Sequence, residues 1–277
     1  MAGDAEQQLR AYVEYFRDMG IHDFYRRGDP AAIATVEAIA ERLPIASAVV
    51  ADAASPRVND IQEPVIPKLI SFNDLAPLPQ DRIAVSERAG ALRAIREEIG
   101  DCTRCPLAYA GRHNIVFGDG DPEARLMFVG EGPGADEDAS GIPFVGKAGQ
   151  LLNNMIVAMG LKREEVYIAN IVKCRPPANR VPEPVEANTC TQFLVKQIDV
   201  VQPQVIVALG ATAAMYLLGV KQSLASLRGS WHSCRGAKLV VTYHPAFLLR
   251  DPRQKGEAWK DLQMVMAELG LKAPAKG

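Results

Sequence analysis

The sequence has no long uninterrupted apolar run. Residues 200–220 carry no charge, yet Gln202, Pro203 and Gln204 open the stretch and glycines interrupt it, leaving about 16 apolar-rich residues where a spanning helix needs roughly 20. No spanning helix and no membrane partner are expected, and the segment is taken as a buried strand followed by a buried helix. The opening MAGDAEQQLR is charged and polar where a secretory leader needs a hydrophobic stretch, so export is not expected. Cysteine is scarce, with five in 277 residues (Cys102, Cys105, Cys174, Cys190, Cys234). In a chain not marked for export this argues for metal binding or catalysis over a disulfide framework, and for a reducing compartment. Histidine is scarcer still: His22, His113, His232 and His244 are the full set. Net charge is also small, −2, which by itself announces no polyanionic partner. It hides an asymmetry, however, of −5 over residues 1–85 and +3 over 86–277. What is present is an ordinary foldable composition, 48% hydrophobic and 23% charged, which rules out disorder of the whole chain.

Leu9, Tyr12, Val13 and Phe16 recur at helical spacing up to Gly20, and Asp29-Pro30 opens a second helix to about Leu43. Residues 1–43 are read as a small helical extension. Six prolines between Pro44 and Pro79, with no sustained periodicity, mark 44–84 as a linker. From Val85 the pattern changes. A helical stretch, VSERAGALRAIREEIG, leads into Cys102, and four short apolar runs follow: Leu126–Gly130, Val166–Ile171, Val205–Leu209 and Leu239–Tyr243. Helical patterns separate them, with Leu151, Leu152, Met155, Ile156 and Met159 on one face, then Pro184–Val200, then Ala211–Leu218. Strand alternating with helix predicts an α/β fold in which a parallel sheet is covered on both faces. The unusual clusters all lie just after those strands: GEGPG at 130–134, Asn170 to Pro177, Gly210, and His244-Pro245. Ligands bind at the carboxyl ends of such strands, so these loops are expected to converge on one pocket.

Cys102-x2-Cys105 and Cys174-x15-Cys190 are two pairs able to close on one centre, and four thiolates suit either zinc or an iron–sulfur cluster. Cys234 is left over as a structural thiol. Gly130-Glu-Gly-Pro-Gly-Ala135 fits the dinucleotide pattern G-x-G-x-x-A, but the next carboxylate after Asp138 is Glu164, so the ribose-binding acid is missing. Gly141 to Ala148 imitates a phosphate-binding loop but has Ala148 where a hydroxyl must hold magnesium. Asp136, Glu137 and Asp138 read as a solvated acidic loop. Glu131, between glycines at the end of a buried strand, is placed to orient water. His244, held by Pro245, is placed to donate to developing negative charge, and the Asn170 amide to read one face of a planar ligand.

With these residues assembled, the chain resembles the iron–sulfur uracil-DNA glycosylases, the family-four class of the uracil-DNA glycosylase superfamily. GEGPGADED (130–138), GIPFVGKAGQLLN (141–153), ANIVKCRPPANR (169–180), HPAFLLR (244–250) and the four ordered cysteines carry the likeness, which spans about residues 90–265. The resemblance implies a three-layer α/β/α sandwich around a central four-stranded parallel sheet, occupying 85–277. It also implies hydrolysis of the bond joining uracil to deoxyribose in single- or double-stranded DNA, which initiates base excision repair. Cys102, Cys105, Cys174 and Cys190 are then implied to hold a structural [4Fe–4S] cluster. Glu131 and Gly132 line the uracil and water site, Phe144 stacks on the flipped base, Asn170 reads its pairing edge, and His244 hydrogen-bonds its O2.

This chain departs from the best-known superfamily members in having Gly132 where they carry an aspartate. Glu131 is therefore the first choice as general base, with Asp136 or Glu137 behind it. No histidine lies between Lys173 and Cys190, so turnover is expected in place of covalent capture of the sugar. Lys147, Arg175, Arg180, Arg250 and Arg253 are expected phosphate partners, and Phe247 and Leu248 an expected wedge into the base stack. A cytoplasmic, bacterial, monomeric enzyme is the resulting expectation. A non-enzymatic damage-binding protein and a redox sensor built on the cluster are the alternatives.

Overall fold

Residues 69–79 and 81–273 are described in the computed structural model. The expected helices of residues 1–43 and the linker up to residue 68 lie outside the described residues. Six strands among those described form one sheet: β1 (Asp119–Gly120), β2 (Leu126–Gly130), β3 (Tyr167–Asn170), β4 (Val205–Leu209), β5 (Trp231–Cys234) and β6 (Ala237–Thr242). Their order is β1-β3-β2-β4-β6-β5. The inner strands β3, β2, β4 and β6 run parallel, and β1 and β5 add antiparallel edges. The four apolar runs thus form the parallel block. The edge strands escaped the sequence pattern because β1 is only Asp-Gly and β5 leaves its first three residues partly or fully exposed.

Alternation along each inner strand sends side chains to two separate cores. Met127 and Val129 of β2, Ile206 and Ala208 of β4, and Leu239 and Val241 of β6 face one side. Leu126 and Phe128, Val205 and Val207, and Val240 face the other. The helical segments are α1 (Phe72–Leu75), α2 (Val85–Ile99), α3 (Ala135–Ser140), α4 (Lys147–Ala158), α5 (Pro184–Val201), α6 (Ala211–Leu218), α7 (Leu224–Leu227), α8 (Pro245–Arg250) and α9 (Lys255–Leu269). Ile95 and Ile99 of α2, Phe193 and Leu194 of α5, and Ala213 and Leu217 of α6 cover the first face. Leu152 and Ile156 of α4, with Leu262 and Val265 of α9, cover the second. The result is the three-layer α/β/α arrangement. Among the described residues no helix is long and apolar enough to cross a membrane.

The stretch 69–79, which its prolines assigned to the linker, packs onto this domain. Phe72 is fully buried. The guanidinium of Arg235, in the β5–β6 turn, donates to the carbonyls of Phe72 (2.9 Å), Ala76 (2.8 Å) and Pro77 (2.9 Å) while pairing with Asp199. Proline spacing reports the local backbone and is silent about such a distant partner.

The sheet order also positions the site. β2 lies between β3 and β4, so the connections leaving β2 and β4 diverge and leave a crevice at the carboxyl ends of the strands.

Candidate active site

A cleft of about 580 Å³ opens at that crevice, within the range of small-molecule sites. Glu131, Gly132, Phe144, Asn170 and His244 all line it, together with Lys147, Arg180, Phe247 and Arg250. Gly210 does not line the cleft but lies behind it, where an added Cβ would stand 3.1 Å from the Cβ of His244.

Asn170 closes β3 and is buried to 1% exposure, and its Oδ1 has no hydrogen-bond partner. A buried acceptor left unpaired is costly, and here it faces the cleft, which points to a ligand N–H as its missing partner. Phe144 stands over the end of β2. A Cβ on Gly130 would fall 2.4 Å from Asn170 Oδ1 and 2.6 Å from Phe144 Cζ, so the glycine lets amide and ring share one wall. Phe144 itself has φ 53°, a left-handed conformation that costs a non-glycine residue about 1–2 kcal/mol. Its carbonyl rests against Gly149 of α4, where any Cβ would come within 1.9 Å of the oxygen. The surrounding structure thus holds the ring in a shape it would not choose.

His244 is the N-cap of α8, and its Nδ1 accepts from the backbone N–H of Ala246 at 3.1 Å. Burial, with Arg250 acting in the same direction, pushes its pKa down to about 4. The ring is therefore neutral near pH 7, and with Nδ1 accepting, Nε2 carries the proton as a donor. The Phe144 and His244 rings lie 5.6 Å apart between centroids, tilted by 33°.

The acidic run is not the solvated loop its composition suggests. Asp136 is exposed, but Glu137 braces two loops: Oε2 accepts from Gly134 N–H (3.0 Å) and Oε1 from Val145 (2.9 Å) and Gly146 (3.0 Å) N–H. Asp138 is buried and accepts from the His113 backbone (2.9 Å), the His113 ring (2.6 Å) and the Asn114 backbone (3.3 Å). Burial raises its pKa, but these hydrogen bonds outweigh burial and hold it below the usual carboxylate range. Committed to three backbone donors, Glu137 is a poor reserve base, which leaves Glu131 and Asp136. The signal for Glu137 and Asp138 was faint but present: both lie in the first turn of α3, where carboxylates meet free N–H groups.

The expected DNA contacts separate. Lys147 and Arg250 are exposed on the cleft rim. Arg180 lines the cleft but is held bidentate by buried Glu186 at 2.8 and 2.7 Å. Arg175 does not line the cleft; its Nε donates to Asn179 Oδ1 at 2.8 Å and shapes the 175–180 loop. Arg253, also outside the lining, pairs with Asp251. The wedge assignment needs correction at Leu248, which is 1% exposed because α8 turns it into the protein interior, whereas its neighbour Leu249 is 44% exposed. Phe247 lines the cleft and stacks on Tyr243 at 5.1 Å.

Cys102, Cys105, Cys174 and Cys190 line a second, small cavity walled by Ile99, Ile115 and Phe193. Arg112 Nη1 donates to Cys174 Sγ, and the backbone N–H of Lys173 to Cys190 Sγ, each at 3.3 Å. Burial pushes the Cys190 thiol up to about 12 and raises Cys105 and Cys174 as well. Among the described residues no three His, Cys, Asp or Glu side chains are gathered tightly enough to grip a single ion. The four thiols instead frame a space, with donors aimed at sulfur. Cys234 is buried in the core elsewhere.

The family described as the uracil DNA glycosylase superfamily matches residues 117–263. The type-4 uracil-DNA glycosylase of Thermotoga maritima is 47% identical over 166 residues, covering 59% of this chain and 86% of that protein. The type-4 enzyme of Pyrobaculum aerophilum is 44% identical over 181 residues, 62% of this chain and 92% of the relative. That of Archaeoglobus fulgidus is 38% identical over 192 residues, 66% and 96% respectively.

Proposed function

Because the chain belongs to the uracil DNA glycosylase superfamily, we propose that it hydrolyses the N-glycosidic bond of uracil in DNA, with the cleft of Phe144, Asn170 and His244 as its active site. The observation that carries this reading is the buried, unpaired Oδ1 of Asn170 beside the Phe144 ring. Uracil extruded from DNA brings an N3–H for Oδ1 and a flat face for the ring. Its Watson–Crick edge also presents an O4 acceptor, complementary to the amide NH2. Cytosine presents an acceptor and a donor at those positions, which mismatches both amide groups.

As the glycosidic bond lengthens, the departing base gathers negative charge on O2, and the neutral Nε2–H of His244 stabilises it there. A neutral donor suits this step because it asks for no proton transfer. Glu131, at the mouth of the cleft, orients a water toward the sugar carbon and accepts its proton, and Asp136 stands behind it. Lys147 and Arg250 hold flanking phosphates.

Cys102, Cys105, Cys174 and Cys190 are the residues that would hold a [4Fe–4S] cluster. The donor set fits: four thiols around one apolar cavity, with Arg112 and the Lys173 N–H to bond their sulfurs. Held by these four thiols, which lie in the loop after α2, in the loop that follows Asn170 and on α5, a cluster would supply cross-linking rather than reaction chemistry. We propose further that the protein acts on cellular DNA as a monomer and that, of residues 1–84 outside the expected domain, 1–68 are dispensable for the chemistry, the bound moving back because 69–79 packs onto the domain. The deciding experiment is a single-turnover assay on oligonucleotides carrying one uracil, in single and double strands. Abasic sites and free uracil are expected from both. Tight binding with no abasic product, in cluster-loaded protein, would replace the enzyme with a damage-binding protein.

A further inference from the structure

Arg163 lies in the short turn Arg163–Glu165 before β3, outside the cleft, yet its side chain reaches the loop that carries Phe144. Nη1 donates to the Phe144 carbonyl at 3.2 Å and Nη2 to the Pro143 carbonyl at 2.6 Å. Nη1 also donates to Asn153 Oδ1 at 3.0 Å, and Nε and Nη2 to Asp119 Oδ2 at 3.3 and 3.2 Å. These contacts use all five N–H groups that a guanidinium owns.

We propose that Arg163 is a positioning residue for base excision: its guanidinium clamps the carbonyls of Pro143 and Phe144 and keeps the Phe144 ring where an extruded base must stack. The inference rests on the reading that Phe144 is the stacking ring. Three observations lead to it. Phe144 sits at φ 53°, so something outside the residue must hold it there. Gly149 leaves room on one side of the Phe144 carbonyl but makes no bond that would retain it. Arg163 supplies that bond, and is itself fixed at both ends, by Asp119 on the sheet edge and Asn153 on α4. A lysine cannot replace it, because one ammonium presents its donors from a single point and cannot span two carbonyls and two anchors.

The test uses the full chain with its metal content measured. Protein labelled with fluorophenylalanine has one ¹⁹F resonance for each of eight phenylalanines, and Phe144→Leu identifies the one that belongs to position 144. In Arg163→Ala that resonance is expected to shift or broaden. Single-turnover uracil excision is expected to fall roughly tenfold or more, within the ~10²-fold that an ångström of misplacement can cost. In the Phe144→Leu background the same Arg163 substitution is expected to cost less than about twofold, since coupled residues are not additive. Arg163→Lys, which keeps the pairing with Asp119 but loses the fork, is read in the same way if Arg163→Ala does not fold. An unmoved Phe144 resonance in folded variant protein, or losses that multiply in the double variant, overturns the proposal. A moved resonance together with full activity of Phe144→Leu leaves the clamp standing and removes the stacking role.

Discussion

Burial, with Arg250 beside it, keeps the His244 ring neutral, and the N–H of Ala246 that occupies Nδ1 leaves the proton on Nε2. His244→Ala is expected to reduce single-turnover excision by roughly 10²–10³-fold, the scale of losing one oxyanion donor, with DNA affinity nearly unchanged. The depressed pKa has a sign. Between about 4 and 6.5 the unfolded chain binds a proton at this residue that the folded chain refuses, so the contribution of His244 to stability grows as pH rises through that window and is constant above it. Denaturant melts at several pH values should show this slope in the wild type and lose it in His244→Asn. Asn170 acts by matching rather than by charge. Asn170→Asp is expected to weaken uracil excision and to admit some cytosine, whose amino group a carboxylate can accept. Rates on uracil and cytosine oligonucleotides check both, and unaltered uracil excision would remove Asn170 from the recognition site.

Elements supply the rigidity that single residues cannot. The contact between α4 and the Phe144 loop depends on Gly149, and Gly149→Ala is expected to push the loop away. A methyl group forced into so close an approach costs about 1–3 kcal/mol, with excision falling more than stability and iron content unchanged. Normal excision in this variant would show that the loop tolerates displacement. α5 plays the corresponding part for the thiol cavity, since it carries Cys190 and is anchored at its start by the Glu186–Arg180 pair. The purified protein is expected to be brown and to contain iron, and Cys190→Ala to lose both the colour and the iron together with much of the thermal stability, because cluster binding and folding are linked. Metal analysis with stoichiometric zinc and no iron in anaerobically purified wild type would contradict the cluster.

For the whole molecule, the packing of 69–79 changes what can be removed. A chain beginning at residue 85 loses Phe72 and three carbonyl partners of buried Arg235, and is expected to be less stable by about 3–5 kcal/mol, the scale of emptying a large aromatic site. A chain beginning at residue 69 is expected to keep both stability and excision rate. Thermal melts and single-turnover assays on the two truncations separate these outcomes. A cluster-loaded 69–277 protein without activity would assign a catalytic contribution to residues 1–68.

Much of this protein is determined by residues close together in the chain. Buried strands declare themselves in Leu126–Gly130 and Val205–Leu209 because a strand enclosed on both faces must be apolar at every position. Glu131, Asn170 and His244 could be singled out because each directly follows or ends such a strand, where parallel sheets bind ligands. The four site cysteines were likewise legible from their spacing. Only the tertiary structure decided that Glu137 is a brace, that Leu248 turns inward while Leu249 does not, that Arg180 is tied to Glu186, and that Arg163 grips the Phe144 loop. The reason is physical. Backbone preference and face alternation are set by neighbours within a turn or two, whereas the use of a polar side chain is set by which distant backbone groups folding leaves unpaired beside it. Arg163 meets Asp119 across 44 positions and Arg235 meets Phe72 across 163, distances over which local pattern carries no information.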